Sequence, residues 1–114
     1  MSAITTHVLD TAKGRAAGGV RILLEMRGDN DEWQSISRGL TDADGRLRTL
    51  LPEGQPLTAG VYRLTFDIAD YFESLGTSSF YPEVAVTFET LPGEKHYHVP
   101  LLISPFGYST YRGT

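Results

Sequence analysis

Three histidines and two arginines are the side chains in this 114-residue sequence best suited to move a proton or hold an anion: His7, His96 and His98, with Arg46 and Arg48. Imidazole takes and returns protons near neutral pH, because its ordinary pKa lies there. Spacing then assigns the rings to faces. In the segment 95–104, His96, His98, Pro100 and Leu102 fall on one side of an extended chain, and Tyr97, Val99, Leu101 and Ile103 on the other. The second set is the natural core face, so His98 points outward. In the segment 4–10, His7 shares a face with Thr5 and Leu9, opposite Ile4, Thr6 and Val8. A histidine on an outer strand face is more often inert than catalytic. Here, however, the same faces carry Leu9 and Leu102, and apolar residues on an outer face point to a covering subunit. A histidine in the resulting cleft can have its pKa tuned for proton transfer.

Arg46 and Arg48 alternate on a short segment after the turn Asp42-Ala43-Asp44-Gly45. Two readings stand side by side, a charged edge strand that resists aggregation and an anion-binding pair. The Asp42/Asp44/Gly45 cluster resembles the opening of a calcium loop but lacks a third Asx and a distal bidentate Glu. His96 and His98 without a third ligand make a weak zinc site, so no metal is expected. There is no glycine-rich phosphate loop, nucleophile elbow or aromatic-basic RNA motif.

The rest of the sequence must position these groups. Hydrophobic residues are 40% and charged residues 21%, an ordinary globular composition, and the length suits one domain over 1–114. A formal net charge of −4 argues against nucleic acid or an anionic membrane as partner. The absence of cysteine excludes disulfides, zinc ribbons, a thiol nucleophile and thiol redox chemistry. No apolar run approaches the ~20 residues of a membrane span, and the start lacks a basic-then-apolar signal pattern, so a cytoplasmic protein is expected.

Apolar residues recur every second position: Val20, Ile22, Leu24 and Met26; Tyr62, Leu64, Phe66 and Ile68; Val84, Val86 and Phe88. Turn signals at Lys13-Gly14, Gly18-Gly19, 28–31, 42–45, 52–54, 91–93 and Phe106-Gly107 divide the chain into strands near 4–10, 20–27, 32–40, 46–51, 61–68, 83–89, 95–104 and 107–113. Eight short strands at this spacing predict an all-β sandwich of two antiparallel sheets. One short helix is predicted, with Asp70 as N-cap, Glu73 three residues on, and Gly76 closing the turn. The tail Tyr108-Ser109-Thr110-Tyr111-Arg112-Gly113-Thr114 is aromatic and β-prone, and reads as a last strand that finishes inside something.

Three blocks together resemble the transthyretin family, and more closely its enzymatic branch, the 5-hydroxyisourate hydrolases: Thr5-Thr6-His7-Val8-Leu9-Asp10, Asp44-Gly45-Arg46-Leu47, and the run from His96-Tyr97-His98-Val99-Pro100-Leu101-Leu102 to Tyr111-Arg112-Gly113. Asp70-Tyr71-Phe72 before Phe80-Tyr81-Pro82-Glu83 also looks like the family's helix and the strand after it. The tail departs from the family in ending on Thr114 where Ser is usual, and Ala16 stands where Pro is usual. The resemblance implies a transthyretin-like (prealbumin) sandwich of two four-stranded antiparallel sheets with one short helix. It implies a homotetramer, a dimer of dimers, whose active sites lie in the channel between subunits. The implied reaction is cofactor-free hydrolysis of 5-hydroxyisourate in urate breakdown. His7 and His98 would orient and deprotonate water, either serving as base, while Arg46 binds the ring and stabilises the oxyanion. Ser109 and Tyr111, taken to share a face of the last strand, would bind substrate with His7 and Arg46, Tyr111 closing the pocket floor. Thr114 would add its hydroxyl or the terminal carboxylate at the rim. A ligand carrier using the same channel is the competing reading, and an immunoglobulin-like adhesion module a third. The carrier branch lacks the histidines, the arginine and the Tyr-Arg-Gly end, which favours the enzyme.

Overall fold

In the computed structural model, which describes residues 3–52 and 54–114, alternating side chains sort into two packed sheets. The first sheet holds β1 (Ile4–Asp10), β2 (Arg15–Ala16), β5 (Arg46–Leu47), β8 (Tyr97–Ser104) and β9 (Gly107–Thr110). The second holds β3 (Arg21–Arg27), β4 (Trp33–Leu40), β6 (Gly60–Asp67) and β7 (Glu83–Thr90), in the order β4-β3-β6-β7. Ile22 and Leu24 of β3 and Tyr62, Leu64 and Phe66 of β6 face Ile4, Val8, Leu101 and Ile103 across the interior, all buried. Burying each such aliphatic or phenyl side chain stabilises the sandwich by ~1.5–3 kcal/mol.

The all-β sandwich with one helix is thus as expected, with four differences of detail. First, β1 and β8 pair in parallel, from Ile4 opposite Tyr97 to Asp10 opposite Ile103. Alternation has the same period in parallel and antiparallel strands, so the hydrophobic pattern is silent on direction. Second, β2 forms inside a stretch that reads as turns, since two residues show no period. Third, the strand predicted over 46–51 stops at Leu47, and the chain beyond it leaves the ladder and buries both Leu50 and Leu51. The Ser37 hydroxyl donates to the Leu50 carbonyl and holds this segment in place. Fourth, the strand predicted over 107–113 ends at Thr110.

The helix α1 (Ile68–Ser74) is capped by Asp67, not Asp70: the Asp67 carboxylate accepts from the Asp70 N–H at 3.1 Å. Asp70 sits in the first turn, where its charge complements the helix dipole. Gly76 closes the helix with φ +68°, and the N–H groups of Gly76 and Thr77 return to the carbonyls of Glu73 and Phe72. The Tyr71 hydroxyl donates to buried Asp10 Oδ2 at 2.8 Å, tying the helix to the end of β1. Burial and the Asp10 carboxylate push the Tyr71 phenol up to about 12, so it stays a donor throughout the physiological range.

Candidate active site

Sheet register builds the site. The antiparallel β1–β5 pairing sets Arg46 opposite His7, and the parallel β1–β8 pairing sets His7 opposite Pro100 and Thr5 opposite His98. Paired residues project to one side of a sheet, so Arg46, His7, Thr5 and His98 share the outer face. Leu9 lies opposite Leu102, and Leu102 opposite Ser109, in the neighbouring row of that face. The outward orientation of His7 and His98 is therefore as the alternation predicts.

Arg46 owes its position to the turn before it. Asp42 Oδ1 accepts from the N–H groups of Asp44 at 2.9 Å and Arg46 at 3.0 Å. Those bonds, the one to Arg46 foremost, hold the Asp42 carboxyl below its usual value. Gly45 has φ +76°, a conformation side chains other than glycine's rarely adopt, and its carbonyl accepts from Val8 N–H at 2.7 Å. The acidic turn is thus an Asx turn that seats Arg46. Among the described residues no group of three or more His, Asp or Glu is arranged to hold a metal.

The same turn orients His7. Its Nε2 lies 2.8 Å from the Asp44 carbonyl oxygen, which can only accept, so Nε2 carries the proton and Nδ1 presents the lone pair when the ring is neutral. His98 is held the other way round, with Nδ1 2.8 Å from Thr5 Oγ1 and Nε2 without a hydrogen bond among the described residues. Burial, followed by the positive fields of His7, His96 and Arg46, lowers the His98 pKa and favours neutral imidazole.

A cavity of about 160 Å³ lies beside His98, lined by Thr5, Thr6, Arg46, Arg48, His96 and Thr114 as well. On the far side of Arg46 and Arg48 an open depression reaches His7, Ala16 and Asp44. The tail returns to His98: the Gly113 N–H donates to the His98 carbonyl at 2.8 Å, and a Cβ added to Gly113 would stand 2.6 Å from His98 Cδ2. Only a glycine lets the chain cross the imidazole there and deliver Thr114 to the cavity.

Of the residues expected at the site, His7 lines the neighbouring depression and not the cavity, and two more lie elsewhere in the single chain. Ser109 is exposed beside Leu102, away from the cavity residues. Tyr111, 59% exposed, lies in an apolar groove with Val86, Phe88, Leu91, Tyr97 and Val99. The ladder stops at Thr110, so Tyr111 does not continue the alternation that would have put it on the face of Ser109. Conversely, the cavity contains Thr5, which the sequence leaves without a site role, and Arg48, for which a functional reading stands beside that of a charged edge strand. Thr5 shows in the sequence only as the outward neighbour of His7, and its closeness to His98 depends on the parallel register.

The model of the HIUase/Transthyretin family matches residues 4–113. This chain belongs to that family. It is 44% identical to the 5-hydroxyisourate hydrolase of Caulobacter vibrioides, with both chains covered in full, and 44% identical to that of Salmonella dublin over 97% of this chain and 80% of the relative. Among solved structures, the transthyretin of Sparus aurata superposes with a TM-score of 0.92 at 35% identity, covering 99% of this chain and 97% of its own. The 5-hydroxyisourate hydrolase of Klebsiella pneumoniae superposes with a TM-score of 0.86 at 37% identity, with both chains covered in full. The backbone is common to both branches, so the fold does not decide between them.

Proposed function

We propose that this chain hydrolyses 5-hydroxyisourate to 2-oxo-4-hydroxy-4-carboxy-5-ureidoimidazoline, a step in the breakdown of urate. The observation that carries the reading is the shared face on which register sets Arg46 beside His7 and His98 beside Thr5. Relatives bearing the name 5-hydroxyisourate hydrolase at 44% identity support the substrate.

In this mechanism water attacks the carbonyl carbon of a ring amide. His98 takes its proton at Nε2, a contribution of ~10²–10⁴ in rate. Burial, and after it the positive neighbours that lower the His98 pKa, keep the ring unprotonated and ready to accept. Charge develops on the carbonyl oxygen, where the Arg46 guanidinium donates to it; a preorganised donor of this kind contributes ~3–4 kcal/mol. The C–N bond then breaks, the proton held by His98 passes to the departing nitrogen, and the carbonyl carbon ends as a carboxylic acid that loses its proton to solvent. His7, fixed through Asp44, orients the substrate through Nδ1. Residues of this chain carry every step, with no cofactor.

The active form is a homotetramer, a dimer of dimers. A cavity of about 160 Å³ is below the ~300–1,000 Å³ of a self-sufficient ligand pocket, so one copy holds part of a site. Leu9 and Leu102, half-buried on the same face, are the apolar surface that a second copy would cover. In that assembly Ser109, Tyr111 and Thr114 complete substrate binding from the channel walls. The site works in the cytoplasm on a small molecule, without nucleic acid or membrane; among the described residues no helix is long and apolar enough to cross one.

The test follows the ultraviolet absorbance of freshly generated 5-hydroxyisourate. Arg46→Ala should slow its enzymatic decay by a factor of ~10²–10³. Decay at the wild-type rate in that variant would remove Arg46 from the mechanism. The second reading is a ligand carrier, which shares the fold: sea bream transthyretin in complex with thyroxine superposes with a TM-score of 0.91. It predicts saturable binding of an aromatic ligand with no turnover.

A further inference from the structure

Thr5 is buried in the strand next to β8, and its single hydroxyl faces two imidazoles. Oγ1 lies 2.8 Å from His98 Nδ1 and 3.3 Å from His96 Nε2. A hydroxyl has one proton to donate, and each neutral ring nitrogen either donates or accepts. Where the hydroxyl donates to one of the two rings, the three groups form a chain with one direction at a time. If the His96 Nε2–H donates to Thr5, the hydroxyl donates to His98 Nδ1, and His98 carries its own proton on Nε2. If instead the His98 Nδ1–H donates to Thr5, the hydroxyl donates to His96 Nε2, and His98 Nε2 is a bare lone pair.

Electrostatics selects the second direction. His98 lines the same cavity as Arg46 and Arg48, and the Arg46 charge acts on its ring. A lone pair there is attracted by the guanidinium charges, whereas an N–H would point its positive end at them. His96 bears no cost from this arrangement, since it is half-exposed and its Nδ1–H can donate to water.

We infer that Thr5 is a positioning residue which, with His96 as its acceptor, locks His98 in the Nδ1–H tautomer and leaves Nε2 free to take a proton. The inference rests on the hydrolysis proposed above for its kinetic consequence, but the tautomer can be read without substrate. A base whose receiving nitrogen is already protonated cannot act, so the hydroxyl controls turnover although it is on the far side of the ring from the reacting water.

Thr5→Val keeps the side chain's shape and removes the hydroxyl. Thr5→Ser keeps the hydroxyl, and His96→Leu removes the acceptor while leaving the Thr5 hydroxyl in place. ¹⁵N NMR of the imidazoles, which tells a protonated ring nitrogen from a bare one, should find His98 protonated on Nδ1 in the wild type and in Thr5→Ser. In Thr5→Val and His96→Leu the proton should move toward Nε2. In the hydrolysis assay both of these variants should lose at least about tenfold in kcat, inside the ~10²–10⁴ of a general base, with KM changed much less. Thr5→Ser should recover to within a few-fold of wild type. A wild-type His98 protonated on Nε2 would overturn the inference whatever the substrate. So would full turnover by a folded Thr5→Val. A wild type that shows the Nδ1–H tautomer yet leaves 5-hydroxyisourate untouched would instead overturn the proposed reaction.

Discussion

Gly113→Ala places a single methyl group against the His98 ring. The added carbon would stand 2.6 Å from His98 Cδ2, and 3.1 and 3.3 Å from Cγ and Cδ of Pro100. Carbon atoms rest at about 3.5–4.0 Å, so the imidazole or the tail must retreat by roughly 1 Å. Pro100 blocks the second direction, and the Gly113 N–H bond to the His98 carbonyl ties the tail to the strand that carries the ring. The ring therefore takes most of the displacement. A shift of about 1 Å in a reacting group can cost ~10²-fold in rate, whereas local overpacking costs the fold only ~1–3 kcal/mol. We expect kcat/KM for 5-hydroxyisourate, followed by ultraviolet absorbance, to fall about 100-fold. Far-UV circular dichroism should remain that of the wild type. Gly107→Ala is the control, because its added carbon meets nothing nearer than Ser104 Oγ at 3.6 Å. A Gly113→Ala enzyme with wild-type kcat/KM would refute the claim that His98 must sit where the tail holds it.

Three further predictions follow from contacts described above. The lowered His98 pKa should put the acidic limb of the kcat/KM profile below the ~6.5 of an ordinary histidine. Because the folded protein binds that proton less readily than the unfolded chain, His98 should also cost stability as pH falls below ~6.5, and His98→Asn should flatten that part of the denaturation profile. Tyr71→Phe leaves Asp10 Oδ2 without its donor while Oδ1 keeps the N–H groups of Ala12 and Lys13. Urea denaturation should show a loss of ~1.5–3 kcal/mol, with activity per folded molecule unchanged. Leu102→Glu puts a charge on the face proposed to meet a second copy, and light scattering should then report less than the roughly 50 kDa expected for four 12.6 kDa chains.

Period-two alternation was enough to read the inward and outward faces of β3, β6 and β8, and with them the outward direction of His98. It could not show that β1 runs parallel to β8, since direction leaves no mark on period. That missing fact hid Thr5. The Thr5–His98 contact spans 93 residues of sequence and exists only in the parallel register. The Asp42–Gly45 turn was legible as a turn, but its purpose was not, because the Asp44 carbonyl that fixes His7 is a backbone atom and carries no residue signature. Asp70 reads as the N-cap in the sequence because Asp67, three residues earlier, continues the alternation of β6. For Tyr111, alternation was extended past the residue where pairing stops.

The central claim is catalysis by this chain, and it is tested most directly by mixing purified wild-type protein with freshly generated 5-hydroxyisourate and recording the decay of its absorbance. Decay in proportion to protein concentration and far above the spontaneous rate is expected, with that acceleration lost in His98→Asn. Decay at the spontaneous rate, alongside saturable binding of an aromatic ligand, would contradict it and make this member of the family a carrier.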